Sequence, residues 1–149
     1  SLDFTFYGTA IEELDLSRWD TKNVKILCPF TNCEQLRTVG DITGWDVSNV
    51  EDMIDFMWCC DSMEEIDVTG WDVRKVKDLW CAFCNCAKLK RIIGLDTWNL
   101  ESADDISECF AFNRSLEHID IIFIISDIGT NSISPTNPAI ISTVLLIVK

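Results

Sequence analysis

Four of the six tryptophans in this sequence recur at nearly constant intervals, and this repeat constrains the fold more than any other feature. The intervals between them are 26, 26 and 27 residues, and each is followed by an aspartate or an asparagine. A constant period of this length is the signature of a repeat architecture. The four pairs are Trp19-Asp20, Trp45-Asp46, Trp71-Asp72 and Trp98-Asn99.

Each repeat combines two apolar periods. From Val50 to Met63 the apolar step is three or four residues, which is typical of one face of a short helix. From Ile66 to Val68 the step is two residues, which is typical of a strand. Because a unit of this size cannot bury both of its faces alone, stacked units would share one core. The sequence therefore predicts an α/β solenoid of about four full repeats, with short parallel strands on one side and short helices on the other.

The repeat register divides the chain in two. Residues 1–121 form the predicted solenoid, and residues 122–149 form an apolar C-terminal cap or assembly segment. We expect residues 139–148 to cover the last coil; an assembly contact through them, a membrane contact and a lipid-anchor signal are the alternatives. The units of the solenoid are a partial repeat or N-terminal cap at 1–16, then full repeats at 17–42, 43–68, 69–95 and 96–121.

A family resemblance rests on residues 14–24, which read Leu-Asp-Leu-Ser-Arg-Trp-Asp-Thr-Lys-Asn-Val, and on the later Phe30, Cys33 and Leu36. This pattern resembles the BspA-like leucine-rich repeat of bacterial and protist surface proteins and mycoplasma-type lipoproteins. The resemblance covers about residues 4–121. It implies a leucine-rich-repeat solenoid that binds other macromolecules, often as an adhesive protein, and it implies no catalytic residues.

The fourth repeat departs from the family pattern at three positions, where Asn99, Ala103 and Asn113 replace the aspartate, valine and cysteine of the other repeats. The resemblance leads us to expect a location at the cell surface or outside the cell. A component of a virion or of another large assembly is the alternative.

The charge of the chain restricts its partners. It has 25 acidic and 12 basic residues, which give a formal net charge of −13 at pH 7. A field of this sign repels the phosphates of a nucleic acid, so we expect no nucleic-acid partner. No apolar run reaches the roughly 20 residues that cross a bilayer, so we expect no transmembrane span.

The sequence also argues against catalysis. Its single histidine, His118, excludes any mechanism that needs two, and no phosphate-binding loop or nucleophile–base pair is present. We therefore expect a non-enzymatic protein without a cofactor.

The strand positions that point away from the core form an acidic row, which is the candidate binding face. Leucine-rich repeats commonly bind through this sheet face, so we expect a protein or a glycan as the partner. A calcium site and a solvated face without a partner are the alternatives. The row comprises Glu13, Asp15, Asp41, Glu65, Asp67, Arg91, His118 and Asp120.

The remaining repeat columns have structural interpretations. We expect each tryptophan to fill the corner between strand and helix, and the following Asp or Asn to cap the helix start. Cys33, Cys60 and Cys86 share one core column, where a small apolar side chain fits. Ligand stacking on the tryptophans and cation binding by the aspartates are the alternatives.

One cysteine cluster resembles half of a zinc site. Cys81-Ala-Phe-Cys84-Asn-Cys86 has the ligand spacing, but the sequence contains no second such pair and its only histidine is remote. We therefore expect reduced, mostly buried thiols and no metal.

Overall fold

The computed structural model describes residues 1–117 and two C-terminal strands. A 3-10 turn at Leu95–Thr97 follows the second strand. The strands pair in parallel, β1 with β2 and β3 with β4. They are β1 (Glu65–Asp67), β2 (Arg91–Ile93), β3 (Ile121–Ile125) and β4 (Val144–Val148).

Hydrogen-bond ladders join each repeat to the next one. In the β1–β2 pair, Ile66 lies opposite Ile92, the equivalent residue one repeat later. Away from the strands, isolated parallel bridges connect Glu13 with Thr38 and Asp52 with Asp78. Equivalent segments of neighbouring repeats therefore lie side by side, with their backbones in parallel.

The helices that the sequence predicts after each Trp-Asp pair are not formed. The described part of the chain contains no α-helix, and turns occupy residues 54–59 of the second repeat. Asp55 and Cys59 both have positive φ angles, of 54° and 58°, and the equivalent residues of the next two repeats do too. An α-helix requires a negative φ at every residue.

The hydrogen bonds of these turns explain the difference. The N–H groups of alternate residues donate to carbonyls of the next repeat, at 2.8 to 3.1 Å, instead of to the carbonyl four residues earlier. The apolar step of three or four residues therefore reflects consecutive turns that each point one side chain inward. The three donor–acceptor pairs between the second and third repeats are Asp55–Trp80, Met57–Ala82 and Cys59–Cys84.

The inward side chains form one continuous core. Met53, Met57 and Cys60 have no exposed surface. Phe56 lies between Phe30 and Phe83, with centroids 5.6 Å apart in both pairs and rings edge to face. Aromatic pairs in this geometry add to the energy of burial, so this column connects three repeats.

The tryptophans stack within the core. Trp71 lies between Trp45 and Trp98, nearly parallel to both, with centroids 6.0 and 6.5 Å away. All three are buried, at 2 to 3% exposure. The Nε1–H groups of Trp45 and Trp71 donate to the carbonyls of Leu16 and Ile42, each at 3.0 Å.

Trp98 breaks this pattern, because its buried Nε1–H has no partner. The repeat before it contains one residue more than the second repeat, near Gly94, and the 3-10 turn at Leu95–Thr97 follows there. A matching extra residue near Gly40 precedes Trp45, whose indole keeps its bond to Leu16, so the insertion alone does not account for the missing partner of Trp98.

Trp71→Phe is expected to destabilise the protein by at least about 1 kcal/mol more than Trp98→Phe. Both changes remove the same volume, but the first also removes one of the two hydrogen bonds that the Ile42 carbonyl accepts, the other coming from the Trp45 N–H, whereas the second removes an unpaired N–H group. Urea unfolding followed by circular dichroism measures the two free energies. Equal losses in the two variants would contradict the hydrogen-bond explanation.

The C-terminal strands pair within the chain. Ile121 lies opposite Val144 and Ile125 opposite Val148, and β3 lies beside the 3-10 turn. The last apolar residues of the chain thus meet the segment after the fourth repeat. The predicted loop around Pro135 and the start of the predicted cap at Ala139 lie outside the described residues, so the capping role stays a prediction.

Candidate functional site

The structure leaves five described members of the predicted acidic row exposed, and Asp67 is half-buried. Neighbouring repeats meet at two places in the row, where Glu13 bridges to Thr38 and Glu65 lies opposite Arg91. His118 and Asp120 lie outside the described residues. The exposed members are Glu13, Asp15, Asp41, Glu65 and Arg91.

Cations from neighbouring repeats compensate the glutamates of this surface. Arg37 Nη2 lies 2.6 Å from Glu12 and 3.4 Å from Glu13, and Arg91 pairs with Glu65 in the same way. All of these side chains are largely exposed, so each pair contributes less than about 1 kcal/mol. The row therefore carries both negative and positive charges, and its two glutamates form ion pairs with arginines.

The aspartates of the row close turns. Asp15 accepts the backbone N–H of Ser17 at 3.1 Å, and Asp41 accepts that of Thr43 at 3.0 Å. Hydrogen bonds from the side chain and backbone of Ser17 lower the pKa of Asp15, and those of Thr43 lower the pKa of Asp41. Both carboxylates are therefore ionised at neutral pH and exposed.

The aspartates after the tryptophans close the same kind of turn, and the prediction that they cap helices is wrong. Each accepts a backbone N–H two residues later, as an Asx turn does, and no helix follows. Asn99 makes the same bond, which explains why asparagine replaces aspartate there. The donors are Lys22 for Asp20, Ser48 for Asp46, Arg74 for Asp72 and Glu101 for Asn99.

A third aspartate column, not predicted from the sequence, is formed by Asp52, Asp78 and Asp105. These half-buried residues bridge to one another in parallel, and each accepts an N–H two residues later. Burial raises the pKa of Asp78, and the carboxylates of Asp105 and Asp52 raise it further. The sequence does contain a signal for this column, because an aspartate directly precedes Met53, Leu79 and Ile106, which are equivalent apolar residues of three repeats.

The pKa values of Asp55, Asp72 and Asp78 shift in opposite directions, which predicts an unusual dependence of stability on pH. Hydrogen bonding from Arg74 lowers the pKa of Asp72 to about 2. The contribution of Asp72 to stability is therefore present above pH 3.8 and is lost as the pH falls towards 2. Burial raises the pKa of Asp55 and Asp78, so their contribution is present below 3.8 and is lost as the pH rises through the raised values.

We therefore expect the urea midpoint to hold or rise between pH 7 and about 4, and to fall below 3.8. Asp78→Asn keeps an acceptor for the turn but removes one raised pKa, so it should flatten the rise. A midpoint that falls steadily from pH 7 downwards would contradict this assignment.

The cysteine column is a hydrogen-bonding column rather than an apolar one. The Cys60 thiol donates to the Phe30 carbonyl at 3.1 Å, and Cys86 donates to Met57 at 2.9 Å. Burial raises the pKa of Cys86 to about 12, which keeps it a protonated donor. In the fourth repeat, Asn113 donates its amide to the equivalent carbonyl, which explains the replacement of cysteine there.

All eight cysteines of the chain are free, and a separate cluster forms where two of them meet the fourth repeat. The Sγ atoms of Cys81 and Cys84 and a carboxylate oxygen of Glu108 lie within 4.8 Å of one another. Glu108 was not predicted as a ligand, because the half zinc site in the sequence was compared only with sites completed by cysteine or histidine. The signal was the repeat length, since Glu108 lies 27 residues after Cys81.

One open pocket of about 230 Å³ has Trp71, Asp72, Arg74 and Asn99 in its lining. Arg74 holds the pKa of Asp72 at about 2, so this carboxylate is a poor proton acceptor at neutral pH. The non-enzymatic role stays a prediction.

Comparison with known proteins identifies the family. The family described as "Mycoplasma protein of unknown function, DUF285" matches residues 1–121. The chain belongs to this family. The DUF285 match covers the same residues that the repeat register assigns to the solenoid. No curated protein and no solved structure matches the chain. Within the described part of this DUF285 member, no helix is long and apolar enough to cross a membrane.

Proposed function

We propose that this DUF285 member is a BspA-like leucine-rich-repeat solenoid that acts as a non-enzymatic binding module, at the cell surface or outside the cell. Its partner is a protein with a basic surface, which binds the acidic row. The observation that carries the proposal is that Asp15 and Asp41 are exposed carboxylates at matching sequence positions of successive repeats, with the half-buried Asp67 at that position of the next.

The charges of the row favour a basic partner. Asp15, Asp41 and Asp67 form no ion pair with any described residue, whereas Glu13 and Glu65 do. A lysine or an arginine of a partner would meet these carboxylates without displacing an existing pair. The net charge of −13 would also steer a cationic protein towards this surface.

The composition of the row favours a protein over a glycan. Carbohydrate binding commonly uses an exposed aromatic ring, and the row contains none. A row of regularly spaced carboxylates suits a partner with several cations. Binding to a neutral glycan with no dependence on salt would therefore count against the proposal.

Two triple variants test the face directly. In the first, Asp15, Asp41 and Asp67 become Asn; in the second, Asp20, Asp46 and Asp72 become Asn. Both remove three charges from the same kind of turn, and Asn99 shows that asparagine preserves such a turn. The second triple is thus a control for net charge and for local structure.

The measurement is the binding of a fluorescent lysine-rich peptide by anisotropy at low and physiological salt. We expect the first triple to weaken binding roughly tenfold, which is about 1.4 kcal/mol, and the control to weaken it much less. Equal effects of the two triples would mean that only net charge matters, and would overturn the proposed face.

A structural subunit joined through the apolar C-terminal segment is the second candidate. The observation that favours it is that β3 and β4 form a two-stranded sheet of apolar strands within the described residues. Exposed edges of such strands pair readily with another chain. Concentration-dependent polymers in sedimentation velocity that disappear without β4 would support this candidate, and a monomer would contradict it.

A further inference from the structure

Cys81, Cys84 and Glu108 bring three potential metal ligands together at the join of the third and fourth repeats. Both thiols are nearly fully buried, at 3% and 2% exposure, and the exposed Glu108 lies against them from the fourth repeat. We propose that these three side chains bind one zinc ion through two sulfurs and one carboxylate oxygen, with a fourth position open to water.

The backbone fixes the three ligands before any metal binds. The Cys84 N–H donates to the Cys81 carbonyl at 3.1 Å, which closes a turn and brings the two cysteines together. The Cys81 N–H donates to the Ser107 carbonyl at 3.2 Å, which places Glu108 beside the pair. Cys81 and Glu108 occupy equivalent positions and share a positive φ, at 54° and 55°. The hydrogen-bond ladder thus holds the ligands in position.

The distances suit a small tetrahedral ion. Zinc binds sulfur at about 2.3 Å and carboxylate oxygen at about 2.0 to 2.2 Å, which places ligand atoms roughly 3.5 to 3.8 Å apart. The present separations are within 4.8 Å, so a small movement of the exposed Glu108 side chain would complete the site. Two thiolates with a carboxylate favour zinc over calcium or magnesium.

The ionised groups nearest the two thiols are acidic, Glu108 beside both and Asp55 beside Cys81. Burial is the main cause that raises the pKa of Cys84 to about 11, and the negative charge of Glu108 raises it further. The same causes raise the pKa of Cys81, where Asp55 adds a further negative charge. Zinc would offset these charges: each thiol releases one proton to solvent and its sulfur donates an electron pair to the metal. Affinity is therefore expected to rise with pH.

The remaining thiols provide controls. Cys59 is the most accessible cysteine of the chain, and its sulfur accepts the Asn85 amide at 2.9 Å. Cys59→Ser therefore tests for unspecific binding of metal to a thiol. Asp104→Asn removes an exposed carboxylate of the same repeat and is the control for Glu108→Gln.

The experiment is a titration of the reduced full chain with Co²⁺, followed by displacement with Zn²⁺. We expect one equivalent of Co²⁺ to produce thiolate-to-cobalt charge-transfer absorption, and Zn²⁺ to remove it. Cys81→Ser and Cys84→Ser should abolish the signal, and Glu108→Gln should weaken binding roughly tenfold, or about 1.4 kcal/mol. Cys59→Ser and Asp104→Asn should leave stoichiometry and affinity unchanged.

Four results would overturn the proposal, three of them from the titration. The first is a Co²⁺ charge-transfer absorption that survives Cys81→Ser. The second is a loss of this absorption with Cys59→Ser as large as with Cys81→Ser. The third is an equal Co²⁺ affinity of Glu108→Gln and the parent chain. Formation of a Cys81–Cys84 disulfide in a glutathione buffer, with zinc present at one equivalent, would also overturn it. Because Glu108 is exposed, Glu108→Gln gives a clear answer even where a buried serine impairs folding. Circular dichroism checks the fold of each variant.

Discussion

Gly94→Ala is expected to lower the free energy of unfolding by about 3 kcal/mol. Gly94 has a φ of 92°, which L side chains rarely adopt. An added Cβ would lie 2.5 Å from both the N and the Cα atom of Thr69, at the start of the same repeat. These are backbone atoms, so the clash is relieved only if the two backbone segments move apart. Strain at the positive φ and overpacking therefore add together.

Gly44→Ala is the matched control for this substitution. Gly44 has no positive φ, and an added Cβ would meet nothing within 4 Å. We expect it to be neutral or to stabilise slightly, since alanine lowers the entropy of the unfolded chain. Urea unfolding by circular dichroism measures both variants. A loss below about 1 kcal/mol for Gly94→Ala would show that the backbones of Gly94 and Thr69 are not in close contact.

Removal of residues 144–149 is expected to cause aggregation or a loss of several kcal/mol in stability. β3 reads Ile-Ile-Phe-Ile-Ile and β4 reads Val-Leu-Leu-Ile-Val, and their five residue pairs run in parallel. Strands that are apolar at every position are typical of sheets covered on both faces. Without β4, the β3 strand loses its only paired edge among the described strands.

A chain that lacks only Lys149 is the control, because it retains all of β4. Sedimentation velocity and thermal melting of the two truncations separate capping from assembly. A soluble monomer with an unchanged melting temperature would defeat the capping prediction. A truncated chain that stays folded but no longer associates would favour the structural-subunit alternative.

The sequence predicted which residues are buried better than it predicted their backbone conformation. The columns that contain Val50, Met53 and Met57 are buried, as their apolar period requires. The same step of three or four residues fits both a short helix and consecutive turns, so the period alone could not separate them. The deciding feature is the set of positive φ angles at Asp55, Cys59 and their equivalents. These residues are not glycines, so the sequence contains no signal that predicts a positive φ there.

The candidate sites were predicted in part, for a related reason. Exposure of the row follows from strand alternation, whereas the pairing of Glu13 with Arg37 depends on how neighbouring repeats stack. The contact between Glu108 and Cys81 likewise depends on the stacking of neighbouring repeats, so spacing within one repeat does not predict it. Contacts between repeats were therefore the part that residue spacing within a single repeat could not supply.

The unpaired indole of Trp98 bears on how arrays of this kind change in length. Neighbouring repeats exchange backbone hydrogen bonds at equivalent positions, such as Asp55 with Trp80 and Cys81 with Ser107, so a whole unit duplicated between residues 68 and 69 would preserve these bonds. Single inserted residues differ in their effect, because Trp45 keeps its indole bond after the extra residue near Gly40, whereas Trp98 has none after the one near Gly94. Duplication and loss of complete repeats thus provide a route by which such genes can vary the length of their binding surface without loss of foldability.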